Sequence, residues 1–84
     1  MTRPLVYICE DDPSLGEVIL HRLQQEGYQC RLFCEAFEMD ECSHSPVPDL
    51  LLLDIQLPGE SGYSIAQRYL RVMPNLRVIM MSVL

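Results

Sequence analysis

Four leucines in succession, Leu50 to Leu53, stand between Asp49 and Asp54. No polar residue interrupts them and no alternation marks one side as wet. Such a run fits a strand covered on both faces, as in the middle of a parallel sheet. Parallel neighbours need helical crossovers, and the segments around the run supply them. Leu5 to Cys9 is a short apolar run of strand formers, closed by Glu10-Asp11-Asp12-Pro13. Asp12 suits a helix N-cap and Pro13 a first helical turn. From Ser14 to Glu26, Leu15, Val18, Ile19 and Leu23 recur at helical spacing, with Leu20 off the main stripe. Gly27 ends that helix as a residue tolerant of the left-handed conformation.

The same alternation continues to the last residues. Tyr28 to Cys34 reads as a second strand, and Glu35 to Ser43 as a short helix anchored by Phe37 and Met39. Pro46 and Pro48 make Ser45 to Pro48 a loop. The leucine strand follows, then a turn-rich loop from Leu57 to Gly62. Tyr63 to Met73 reads as a helix carrying Ile65, Ala66, Tyr69, Leu70 and Met73 on one side. Pro74-Asn75 breaks it, and Leu76 to Ser82 is a fourth strand. The order β-α-β-α-β-α-β predicts an open α/β sheet of parallel strands with right-handed crossovers. The functional residues of such a sheet gather at the carboxyl ends of its strands.

Composition narrows the chemistry. The 84 residues make one domain at most, and 49% hydrophobic residues suffice for a small core. The formal net charge of -6, with six arginines as the only Lys or Arg residues, argues against a nucleic-acid surface. No apolar run approaches the ~18 residues of a membrane span. Nor does the amino terminus carry a secretory signal, so a cytoplasmic protein is expected. Four cysteines stand at 9, 30, 34 and 42 without a Cys-x-x-Cys pair. Free thiols in a reducing compartment are the expectation. A zinc site of Cys30, Cys34, Cys42 and His44 has suitable ligand types, but not the tight turn spacing such sites use.

Three strand ends can be compared. The first closes on Glu10-Asp11-Asp12, the third on Asp54 and the fourth on Ser82. If the first and third strands are neighbours, the acids at 10, 11 and 54 meet at one edge. Carboxylates packed that closely repel and call for a cation. Oxygen donors with a backbone carbonyl and waters suit Mg²⁺. A carboxylate can also act as a nucleophile and form an acyl phosphate. The Ser82 hydroxyl could donate to a phosphoryl oxygen. Taken singly, an acidic run after a strand is commonly a helix cap, and an Asp closing a strand a solvated loop residue. Their convergence on one sheet edge is what favours chemistry.

Three stretches carry a family resemblance: Val6 to Ser14, Pro48 to Gly59 and Val78 to Ser82. The middle stretch, an apolar strand ending in Asp54 with Pro58 and Gly62 after it, is the most diagnostic. The chain resembles, over its whole length, the receiver domain of bacterial response regulators. The resemblance implies a flavodoxin-like, doubly wound parallel sheet with strand order 2-1-3-4 for these four strands. It implies that Asp54 is phosphorylated, that Asp11 and Asp54 ligate Mg²⁺ with the backbone carbonyl of Gln56, and that Glu10 acts nearby through water. Ser82 matches the family's switch hydroxyl, while Asp12 falls at a variable position. The partner implied is a sensor histidine kinase, or a small acyl phosphate as donor. The role is that of a phosphoacceptor rather than an enzyme.

Two departures from the pattern stand out. Val83 is bulkier than the residue usual after the switch. The family also continues with another helix, a fifth strand ending in Lys and a last helix, which these 84 residues do not include. The expectation is therefore a piece of a longer regulator, weak as a phosphoacceptor by itself, whose fourth strand is an open apolar edge. Such a piece is expected to form a homo-oligomer or a strand-swapped dimer. The alternative function is a receiver-like interaction piece that associates through this edge without phosphotransfer. Phosphohydrolases of the haloacid dehalogenase group are a poorer match, because they carry a second Asp two residues after the nucleophile and position 56 is Gln.

Overall fold

The computed structural model describes residues 3–43 and 46–82. His44 of the zinc alternative and Val83 lie outside the described residues. Four strands and three helices alternate: β1 (Leu5–Cys9), α1 (Pro13–Gln25), β2 (Gln29–Phe33), α2 (Ala36–Cys42), β3 (Leu50–Asp54), α3 (Gly62–Val72) and β4 (Arg77–Met81). The strands form one parallel sheet in the order β2-β1-β3-β4, the flavodoxin-like order expected.

Local chemistry sets the helix ends. The Asp12 side chain accepts hydrogen bonds from the Ser14 and Leu15 amides and so satisfies two free donors of the first turn of α1. Pro13 occupies the first helical position, where its missing N–H costs nothing. Past Glu26, Gly27 turns the chain out of the helix at φ 95°. Ser61 caps α3 by accepting from the Ser64 amide at 3.2 Å.

Successive strand residues point to opposite faces, so the sheet buries two sets of side chains. One face carries Tyr7, Cys9, Phe33, Leu51 and Leu53 beneath Met39 of α2 and Ile65 and Tyr69 of α3. Tyr7 is fully buried, and its hydroxyl donates to the carbonyls of Cys42 and Pro46 at 2.9 and 3.0 Å. Those bonds tie the end of α2 and the following loop to the sheet. The other face carries the row Leu32, Ile8, Leu52 and Ile79, with α1 lying over its Leu32 end. A Cβ on Gly16 would come within 2.8 Å of Leu32 Cδ1, so α1 lies close against the Leu32 side chain, which would have to shift for a larger residue.

The amino ends of three strands meet at Asp49. Its carboxylate accepts from the Leu5 amide at 2.8 Å, and its own amide donates to the Leu5 carbonyl at 2.8 Å. Its carbonyl accepts from the Arg77 amide at 3.5 Å.

Several sequence expectations need correction. Val18 is 67% exposed rather than part of the buried stripe of α1, because the helix approaches the sheet along Gly16. Phe37 is 58% exposed and does not anchor α2; Met39, two residues on and facing the opposite way, is fully buried. Leu70 is exposed, so the sheet side of α3 is narrower than expected. Leu50 and Leu52 are only half-buried. Their side of β3 faces the row that α1 covers incompletely, so the leucine strand is fully covered on one face alone.

Candidate functional site

Where β1 ends, the Glu10 amide donates to the Phe33 carbonyl at 3.0 Å, which extends the sheet register one residue past the strand. That bond turns the Glu10 side chain into the interior, where it is 2% exposed. Its Oε2 accepts from the Asp12 amide at 3.1 Å. Its Oε1 is buried and is the one buried side-chain oxygen among the described residues without a hydrogen-bond partner. Asp54 ends β3 beside it, also buried, and its Oδ1 accepts from the Gln56 amide at 3.0 Å. Asp11 stands exposed at the rim. One carboxylate oxygen from each of Glu10, Asp11 and Asp54 lies within 4.8 Å of the others.

The three acids, with Asp12, Leu15 and Gln56, line a cleft of about 240 Å³ at the carboxyl edge of the sheet. Burial above all, with the neighbouring Asp11 and Asp54, pushes the Glu10 carboxyl up to about 7. A buried acid whose own Oε1 lacks a partner, standing beside two further carboxylates, is a site short of positive charge. The donor set is all oxygen, hard and partly solvent-facing, which fits Mg²⁺. Among the described residues no other group of three His, Cys, Asp or Glu side chains converges in this way, and the zinc alternative finds no support there. The four cysteines are free thiols, and burial pushes Cys9 up to about 12, so it is a neutral core residue.

The remaining sequence candidates are placed as follows. Gln56 borders the cleft through the turn that returns its amide to Asp54. Ser82 follows Met81, which pairs with Asp54 across β3 and β4. Ser82 is exposed and is not among the residues that line the cleft. Gly62 adds a constraint that the sequence reading passed over. A Cβ there would overlap the Asp54 carbonyl oxygen and crowd Met80 Cε, so the first turn of α3 presses directly on the backbone of Asp54. The sequence reading also missed a polar cluster of Asp40, Glu60, Ser64, Arg68 and Tyr69. The spacing of Glu60, Ser64 and Arg68 at four-residue intervals was a signal that could have found part of it.

Comparison with known proteins agrees with this geometry. The family model described as response regulator receiver domain matches residues 6–84. The chain belongs to that family. The transcriptional regulatory protein CreB of Escherichia coli (strain K12) is 29% identical over 82 residues, which are 98% of this chain and 36% of CreB. This chain thus spans about a third of that relative's length. The non-phosphorylated receiver domain of HemR from Leptospira biflexa superposes with a TM-score of 0.88 at 26% identity, covering 95% of this chain and 64% of HemR's. TrrA from Thermotoga maritima, solved in complex with Mg²⁺-BeF, gives 0.87 at 26% identity over 94% of this chain and 69% of its own. This chain is therefore a receiver domain sequence of the two-component type, and no helix of its described residues is long and apolar enough to cross a membrane.

Proposed function

We propose that Asp54 is the phosphoacceptor of a signalling receiver, loaded from a sensor histidine kinase or a small acyl phosphate in the cytoplasm. The observation that carries this reading is the unpartnered, buried Oε1 of Glu10 beside Asp54 and Asp11. Glu10, Asp11, Asp54 and the carbonyl of Gln56 would hold Mg²⁺, which when bound supplies positive charge against the transferring phosphoryl group. A carboxylate oxygen of Asp54 attacks phosphorus. The bond from phosphorus to the donor's imidazole nitrogen or carboxylate oxygen breaks, and the donor leaves with that electron pair. The Gln56 amide fixes one oxygen of Asp54, leaving the other for attack. Glu10 is held clear of attack by the Asp12 amide and serves the cation. Ser82, at the neighbouring strand end, is the hydroxyl within reach of a phosphoryl oxygen once it turns inward.

The test is incubation of the full gene product with Mg²⁺ and acetyl phosphate. A hydroxylamine-sensitive mass gain that disappears in Asp54→Asn is expected. No gain in the wild type defeats the proposal.

A further inference from the structure

The polar cluster between α2 and α3 has Arg68 at its centre. Its Nε and Nη2 donate to Glu60 Oε2 and Oε1, both at 2.9 Å, in a two-point fork. Nη2 also reaches Asp40 Oδ2 of α2 at 3.2 Å. The Ser64 hydroxyl donates to Glu60 Oε2 at 2.6 Å, and the Tyr69 hydroxyl to Asp40 Oδ1 at 2.7 Å. Hydrogen bonding by Arg68, then by Ser64, holds the Glu60 carboxyl below the usual carboxylate range. These side chains are half-exposed, a setting in which ion pairs add little to overall stability. What they fix is a place.

Glu60 belongs to the loop between β3 and α3, the same loop that carries Gln56 at its start, after Ile55. The loop is a closed hoop. The Gly62 amide donates to the Ile55 carbonyl at 3.0 Å, and the Gln56 amide to Asp54. Leu57 packs against the core, and Gly59, at φ 86°, lets the chain reverse. From Gln56 to Gly59 this hoop has no further tether to the strands, and the fork on Glu60 grips its outer arm. Because Arg68 is on α3 and also holds Asp40, the grip is referred to two helices rather than to the loop itself.

We propose that Arg68 is a positioning residue for the acidic cleft. Through Glu60 it keeps the hoop seated, so that the main chain at Gln56 stays beside Asp54. This rests on reading the cleft as a cation site, and the test separates the two. In the full gene product, Mg²⁺ affinity is measured by calorimetry. Exchange of the Gln56 amide is measured by NMR without any metal. Arg68→Met is expected to weaken Mg²⁺ binding by about tenfold and to speed Gln56 exchange by about tenfold. Glu60→Gln should do much the same, and the double variant should add little, since both remove one interaction. Arg68→Lys should restore only part of the loss, because a lysine cannot form the fork.

A lowered melting temperature with Mg²⁺ affinity and Gln56 exchange both unchanged would overturn the proposal and leave Arg68 a structural residue only. If Arg68→Met fails to fold, Glu60→Gln decides by the same two readouts. If the wild type binds no Mg²⁺, the cation reading fails, and the exchange arm still shows whether Arg68 seats the hoop.

Discussion

The two faces of the sheet use the same kinds of side chain and reach different burial. On the α2–α3 face the row Phe33, Cys9, Leu53, Met80 is buried on its first three strands and still partly buried at Met80. On the α1 face the row Leu32, Ile8, Leu52, Ile79 runs from full burial at Ile8 to half-exposure at Ile79. Ile8 and Ile79 are the same residue in the same row. What separates them is the reach of one helix, since α1 packs mainly on β2 and β1. Burial here is set by how many elements cover a position, not by how apolar it is.

Core truncation should expose the contrast most strongly. Leu53→Ala on the closed face is expected to cost about 2–5 kcal/mol in urea unfolding, because the cavity is walled by helices and sheet. On the open face, Ile79→Lys is expected to change stability by less than about 1 kcal/mol in the same assay. Equal costs for Leu53→Ala and Ile79→Ala would break the comparison.

The glycines give a finer version. Gly62→Ala would drive a methyl into the Asp54 carbonyl, which is backbone and cannot turn aside. It should cost about 1–3 kcal/mol and weaken Mg²⁺ binding at the cleft. Gly16→Ala meets only the end of the Leu32 side chain on the open face, and should cost less than Gly62→Ala in the same denaturation assay.

A smaller effect should follow from pH. The Glu10 carboxyl lies at about 7 in the fold against an ordinary value of 4.5, so between these values the folded chain holds a proton that the unfolded chain has released. Without divalent cations, stability should therefore fall as pH rises from about 4.5 to 7. In the same window Mg²⁺ affinity should rise, because the cation displaces that proton. Glu10→Gln should flatten the apo profile, measured as melting temperature against pH.

How much of this could be read before the structure varies with the kind of signal. The acids at 10, 11 and 54 were legible because they stand at the ends of apolar runs, so that a parallel sheet brings them to one edge by construction. Strand order followed from the crossovers and the family resemblance together. Phe37 and Met39 were not separable, because a seven-residue helix offers too few turns for periodicity to choose a face. The half-burial of Leu50 and Leu52 was hidden as well, since an unbroken apolar run says what a strand could bury but not what lies over it. Arg68 was missed because its partner Asp40 is 28 residues away on another helix, and that meeting depends on α2 and α3 lying side by side.

Asp49 has a part in all of this from the far end of the molecule. By binding Leu5 through side chain and main chain, and Arg77 through its carbonyl, it lines up β1, β3 and β4 on a common starting mark. Each of those strands is five residues long. At about 3.3 Å per residue each runs roughly 16 Å; Cys9 finishes opposite Leu53 and Met81 opposite Asp54, so β1 stops one residue short of β3 and β4 and Glu10 follows it at the level of Asp54. The height at which Glu10, Asp54 and Ser82 stand relative to one another is thus surveyed from the opposite edge. A one-residue slip at that mark would turn every side chain of a strand to the wrong face and unseat the cleft without touching any residue in it.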